Sequence, residues 1–290
     1  MFDGNAVGID VQESTVTYRK MRATARVLGL GRLQRRLRTS IEASPLWVAA
    51  PPRHLKDLDL VGPARPDTFA LTYDDGPDPE VTPRLLDALE VHGAKATFFM
   101  CGLAAHRCPD LVRAVADAGH SIGGHSWSHR HVESLTESEW KHEIDETHSL
   151  LADLSGRPVR WFRPPRGKTD RGTWERLRLA GVTTVLWSAA GRDWRFRSAA
   201  LIAQSALSDL GPGGIVLLHD SLANLHLSGS CEDFGNQEPT VQATEILLRA
   251  ARDLGLSPVA LDVIRSTPLP RMGQPRLLSM RKARSHTRQN

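Results

Sequence analysis

Short runs rich in β-branched and aromatic residues alternate with stretches of helical periodicity from about residue 67 to residue 265. That alternation predicts a parallel sheet or barrel clothed in helices. Seven runs qualify as strands: 68–73 (TFALTY), 96–100 (ATFFM), 121–124 (SIGG), 159–162 (VRWF), 183–187 (TTVLW), 214–218 (GIVLL) and 258–263 (PVALDV). Segments such as 83–91 and 140–154 space their apolar residues for one face of a helix. Glycines at 93, 119, 156, 181, 211 and 255 stand where those helices should stop, since glycine accepts the left-handed position past a helix end. Seven strand–helix units suit an α/β fold, with a closed or distorted (β/α) barrel at least as good a candidate as a small open sheet, and strand count alone does not decide between them. The third run is the weakest strand, because two of its four residues are glycine.

The pattern changes before residue 67. Met21, Ala25, Leu28, Leu33, Leu37 and Ile41 fall roughly on one helical face, with arginines elsewhere and Gly29 and Gly31 weakening the helix. Two readings stand for residues 18–41: a peripheral contact with an anionic membrane or a lipid-linked substrate, or an accessory helix packed on the barrel with a solvated basic face. Residues 44–66 carry five prolines and read as a linker, and 266–290 read as a disordered basic tail. The expected organisation is therefore an extension (1–66), one catalytic domain (67–265) and a tail (266–290).

Composition adjusts this picture in a few places. A chain of 290 residues with 40% apolar content can bury one sizeable core. The formal net charge of +4 is modest but uneven: residues 14–41 hold eight Lys/Arg and no acid, and seven more follow Asp262 with no acid. Nucleic acid is not the expected partner, because no aromatic platform or recognition motif accompanies the basic ends. No stretch approaches the roughly 20 apolar residues of a membrane span, and the start lacks a charged-then-apolar leader, so a cytoplasmic monomer is expected, with the inner membrane face as the alternative. Cys101, Cys108 and Cys231 are odd in number and lack CxxC spacing, which argues against a disulfide framework or a thiolate zinc site.

The polar residues are informative because of where they stand. Asp74-Asp75 follow the first run, His125-Ser-Trp-Ser-His129 the third, Arg163 the fourth and His219-Asp220 the sixth, while Asp193-Trp194 come shortly after the fifth. In a parallel barrel the carboxyl ends of the strands share one rim, so residues about 145 positions apart can form one site. Two histidines at i and i+4 could face one ion from a helical turn, with a carboxylate completing a three-ligand site open to water. An adjacent carboxylate could take a proton, and a histidine on the opposite wall, supported by an aspartate, could deliver one. These are parts for metal-assisted amide hydrolysis. Singly, each has a plain structural reading: DDGP as a strand end with Asp75 or Asp78 capping a helix, Arg163 as a salt-bridge donor, His219 as a satisfied core histidine.

Taken in order, TYDDGP (72–77), GHSWSH (124–129), FRPPRG (162–167), GRDW (191–194) and IVLLHD (215–220) resemble the five motifs of the NodB-homology polysaccharide deacetylases, carbohydrate esterase family four. The resemblance extends over roughly 67–265. It implies Asp75, His125 and His129 as ligands of one divalent ion, usually zinc, with cobalt or another divalent ion as alternatives. It implies Asp74 as general base, Arg163 as its partner, His219 as general acid and Asp193 as the support of that acid. Trp194 and Leu217 would wall the acyl methyl, and the Arg166 N–H would face the developing oxyanion. The implied substrate is an N-acylated amino sugar, and the implied reaction is hydrolysis of its amide.

Two positions depart from the family pattern. Arg166 replaces the usual tyrosine, which should change substrate contacts rather than chemistry, and Ala190 stands where an aspartate is common. The segment 221–239 is longer than the usual turn and reads as a specificity loop or a plain surface insertion. Two alternatives to a polysaccharide or oligosaccharide deacetylase stand: a sugar-binding module that lost catalysis, or a deformylase or deacetylase of a lipid-linked sugar.

Overall fold

The computed structural model describes residues 67–264, apart from Ser134, Arg197 and 223–237. The basic segment 18–41, the linker 44–66, the tail 266–290 and most of the 221–239 loop lie outside the described residues.

The strands are β1 (Thr68–Asp74), β2 (Thr97–Met100), β3 (Ser121–Gly124), β4 (Trp161–Phe162), β5 (Thr183–Thr184), β6 (Ala189–Ala190), β7 (Ile215–His219) and β8 (Ser257–Val259). They form one sheet in the order β5-β4-β3-β2-β1-β7-β6, with β8 paired to the first half of β1, and all pairings are parallel. Among the described residues no ladder joins β5 to β6, so the barrel is open along that seam. This is the distorted (β/α) barrel that the family resemblance implies, and it decides between the sheet and the barrel that the alternation of runs left open.

The run 183–187 is not one strand. Val185 and Leu186 give their carbonyls to the Arg163 guanidinium (3.2 and 3.4 Å) instead of to a ladder. The chain thereby leaves one edge of the sheet, crosses the seam and resumes as β6 against β7. The strand count rises from seven to eight because Ala189–Ala190, outside all seven runs, pairs with β7.

β1 lies at the centre, and all seven of its residues are buried, as expected of a parallel strand covered on both faces. Alternation sorts them. Phe69, Leu71 and Tyr73 join Phe98, Met100, Val216 and Leu218 in the layer beneath the helices, with Leu85, Leu89, Val112, Val115, Leu207 and Leu247. Ala70 belongs to the smaller cluster with Phe99, Trp161, Val185 and Ile215. By the same parity Thr72, Asp74, Leu217 and His219 share the face that Ala70 and Ile215 occupy.

The two glycines of β3 strengthen the fold at a place where propensity argues against a strand. A Cβ on Gly123 would stand 2.5 Å from the Phe99 ring, and one on Gly124 would stand 2.8 Å from His148. Close packing leaves no room for a side chain. Five of the six glycines expected past helix ends take positive φ; Gly211 does not, because the helix Ala199–Asp209 ends on an extended Leu210, and the positive φ of Gly213 belongs to the turn that leads into β7. No helix among the described residues is long and apolar enough to cross a membrane.

Candidate active site

Parallel pairing sets Asp74 directly opposite His219 on the neighbouring strand, although 145 positions separate them in sequence. Asp74 is buried, and its Oδ1 accepts a 2.7 Å hydrogen bond from Arg163 Nη1. The same Nη1 reaches Thr72 Oγ1 at 2.7 Å, and the guanidinium lies over the Phe99 ring, 4.1 Å from its centroid. Burial lowers the Arg163 pKa, against the pull of Asp74, yet a guanidinium stays charged. A carboxylate and a guanidinium removed from water together hold each other in place.

Asp75 follows at a left-handed φ of 81°. Asp75 Oδ1 lies 3.2 Å from His125 Nε2 and 3.4 Å from His129 Nε2. Among the described residues this is a group whose ligand atoms all lie within 4.8 Å of one another. His125 Nδ1 lies 2.7 Å from the Arg163 carbonyl oxygen. A carbonyl only accepts, so Nδ1 carries a hydrogen there, and Nε2 is the ring nitrogen that faces Asp75. Burial, and after it the neighbouring His125, lowers the His129 pKa to about 3, so this imidazole is neutral. Burial would raise the Asp75 carboxyl, but the His125 hydrogen bond and then the charge of His219 outweigh it and hold it below the usual range. Two imidazoles and one carboxylate are a donor set that fits zinc and other first-row divalent ions.

The two histidines do not converge through a helical turn. Residues 125–129 form an irregular bend with Ser126 at φ 61° and His129 at φ 57°. Main-chain carbonyls of Ser126 and Trp127 accept from the amides of Gly102 and Leu103 (3.0 and 2.9 Å). The amides of Trp127 and Ser128 donate to Glu143.

The opposite wall is an imidazole–carboxylate pair. His219 Nδ1 lies 2.8 Å from Asp193 Oδ1, and the His219 amide donates to Asp193 Oδ2 at 2.7 Å. Thr240 Oγ1 donates to the same oxygen at 3.1 Å. Burial would lower the His219 pKa, but the charge and hydrogen bond of Asp193, and beyond them Asp75 and Asp74, push it up to about 10. The imidazole is therefore a cation at neutral pH, with its second proton on Nε2.

Trp194 is half exposed, and its ring stands edge-on to His219 with centroids 5.3 Å apart. Leu217 is buried one pleat before His219. Arg166 is exposed, sits at φ 56° in the short turn Pro165–Gly167, and meets His131 with Nη1 2.9 Å from Nε2. Ala190 pairs with Leu217 in β6.

Five further residues shape the site; the sequence drew notice to Asp78 as a capping candidate and to Asp220 beside His219, but carried no signal for Thr72, Glu143 or Thr240. Thr72 anchors Arg163, Thr240 anchors Asp193, and Glu143 anchors the histidine bend. Asp220 accepts from the Gly76 amide (3.0 Å) and from Thr82 Oγ1 (2.6 Å), fixing the turn after Asp75. Burial pushes the Asp220 carboxyl up to about 7. Asp78 accepts from the amides of Glu80 and Val81 and so caps the helix Val81–Val91.

The sequence profile of the polysaccharide deacetylase family matches residues 62–185. That match ends before Asp193 and His219, whose assignment leans on the geometry above. A peptidoglycan-N-acetylglucosamine deacetylase of Bacillus cereus is 36% identical over 171 residues, 59% of this chain and 62% of the relative. A chitooligosaccharide deacetylase of Sinorhizobium fredii is 31% identical over 216 residues, 74% of this chain and 96% of the relative. The chain thus spans just under two thirds of the first relative's length and nearly all of the second's. A crystal structure of a peptidoglycan N-acetylglucosamine deacetylase in complex with a naphthyl N-hydroxybenzamide superposes with a TM-score of 0.63 at 32% identity, covering 71% of this chain and 92% of that one.

Proposed function

This chain belongs to the polysaccharide deacetylase family, and from that premise we propose that it is a metal-dependent hydrolase that removes an N-acetyl group from an amino sugar in an oligosaccharide or glycan. The observation that carries the proposal is the juxtaposition of two charge pairs, Asp74 with Arg163 and His219 with Asp193, around the ligand group Asp75, His125 and His129.

The chemistry that a divalent ion, zinc by this donor set, supplies in such a site is polarisation of the acyl carbonyl and a lowered pKa for the attacking water. The residues divide the proton transfers. Arg163 occupies Asp74 Oδ1, while Oδ2 lies 3.8 Å from His125 Nε2 and is the oxygen nearest the ligands. Asp74 Oδ2 accepts the proton of the attacking water. Asp193 holds His219 Nδ1, so Nε2 of the imidazolium gives its proton to the departing sugar nitrogen, and acetate leaves. The Arg166 N–H is the candidate donor to the oxyanion, and Trp194 and Leu217 are the candidate walls for the acetyl methyl.

Acetate release from N-acetylated chitooligosaccharides and peptidoglycan fragments, with zinc-loaded protein, tests the proposal. Asp74→Asn is expected to cut turnover by about 10²–10⁴-fold, the usual worth of a general base, while zinc stays bound. Unchanged turnover would exclude Asp74 as the base, and full activity after chelation would exclude the metal.

A further inference from the structure

We infer that Glu143 is a positioning residue for the metal-ligand bend: its buried carboxylate sets the separation of His125 and His129 by gripping the main chain between them. The inference rests on the reading of Asp75, His125 and His129 as a ligand group.

Glu143 is buried, yet the donors to its carboxylate are two peptide amides and a hydroxyl. Oε2 accepts from the amides of Trp127 and Ser128, each at 2.9 Å, and Oε1 accepts from Ser128 Oγ at 2.7 Å. A buried carboxylate without such donors would be costly, and charge-assisted bonds of this kind are the stronger class. The other side of the bend is held by the Gly102 and Leu103 amides on the Ser126 and Trp127 carbonyls. Both polar groups of the two central peptides between the ligands, Ser126–Trp127 and Trp127–Ser128, are thus tied to two separate helices, Gly102–Arg107 and the one that carries Glu143. That restraint matters because Ser126 and His129 both hold left-handed φ, which non-glycine residues keep only where surrounding contacts impose it.

Helix geometry shows how Glu143 reaches the bend. It lies in a six-residue π-helical segment, Lys141–Glu146, between the α-helical segments Glu137–Trp140 and Thr147–Ser155. Lys141, His142, Asp145 and Glu146 are exposed, whereas Trp140, Glu143, Ile144, Thr147 and Leu151 form the buried stripe. One acid stands in an otherwise inward-facing row. Single π turns inside α-helices are frequent at functional sites. Partners that orient ligands in this way typically account for about 10–100-fold in metal affinity.

The test is zinc affinity, measured by competition with a chromophoric chelator on the full chain, together with the Tm of the metal-free protein. Glu143→Ala should weaken zinc binding by about 10–100-fold. Glu143→Gln, which keeps the shape and one acceptor oxygen, should recover part of that loss and guards against an Ala variant that fails to fold. Cobalt-substituted protein adds a readout of ligand geometry, because its visible absorption should change in the Ala variant. A purely structural role would lower the metal-free Tm and leave the zinc constant and the cobalt spectrum of the folded protein unchanged. That result overturns the inference alone. Wild-type protein that binds no stoichiometric zinc would overturn the ligand group and this inference with it.

Discussion

Asp193→Asn isolates the support of the candidate acid with little change of shape. In the native site the carboxylate accepts twice from His219, at Nδ1 (2.8 Å) and at the amide (2.7 Å). An asparagine has one acceptor oxygen. If that oxygen keeps the amide bond, its NH₂ faces Nδ1 and requires a lone pair there, so the neutral imidazole is favoured over the cation. The rise of the His219 pKa from 6.5 to about 10 corresponds to stabilisation of the cation on the order of 5 kcal/mol. Loss of one member of a buried pair costs about 3–5 kcal/mol, the same scale. The sign follows directly. Native His219 stays protonated until the pH approaches about 10, whereas the variant imidazole, back at or below about 6.5, loses its proton through neutrality. At pH 6 about three quarters of the variant is still charged, and at pH 9 only about 0.3% is. The ratio of native to variant kcat should therefore widen by about 200-fold between pH 6 and pH 9 if His219 must be protonated to act. Acetate release at saturating substrate across that range measures it. A ratio that does not change with pH would refute the assignment of His219 as the acid supported by Asp193.

Arg163→Met keeps the aliphatic stem and leaves Asp74 buried without its partner, so a loss of about 3–5 kcal/mol in denaturant unfolding is expected, and a loss below about 1 kcal/mol would show that the pair carries no structural weight. Gly123→Ala should destabilise by about 1–3 kcal/mol in the same assay, because its Cβ would meet the Phe99 ring at 2.5 Å; a neutral change would mean that β3 can give way there.

The class of fold and the principal candidate site residues were legible in the chain before it folded. Short β-rich runs and glycine-ended helices are local properties, and they marked the parallel strands and the rim on which Asp74, Asp75, His125, His129, Arg163, Asp193 and His219 stand. The order of five motifs supplied the family, which the relatives support independently. Tertiary structure decided the rest for identifiable reasons. The break between β5 and β6 depends on an arginine 22 positions upstream that takes the Val185 carbonyl, and no propensity of TTVLW reveals it. The glycine pair of β3 reads as weakness in one dimension and as close packing against Phe99 and His148 in three. HxxxH spacing suggested a helical turn, but the bend owes its shape to amides and a carboxylate from two separate helices. Glu143 was visible only as an acid in a row of inward-facing residues, and its partners lie 15 and 16 positions away. Local patterns record which residues are present and which way each strand faces; which distant carbonyl or amide completes a buried polar group is set only when the chain has closed around it.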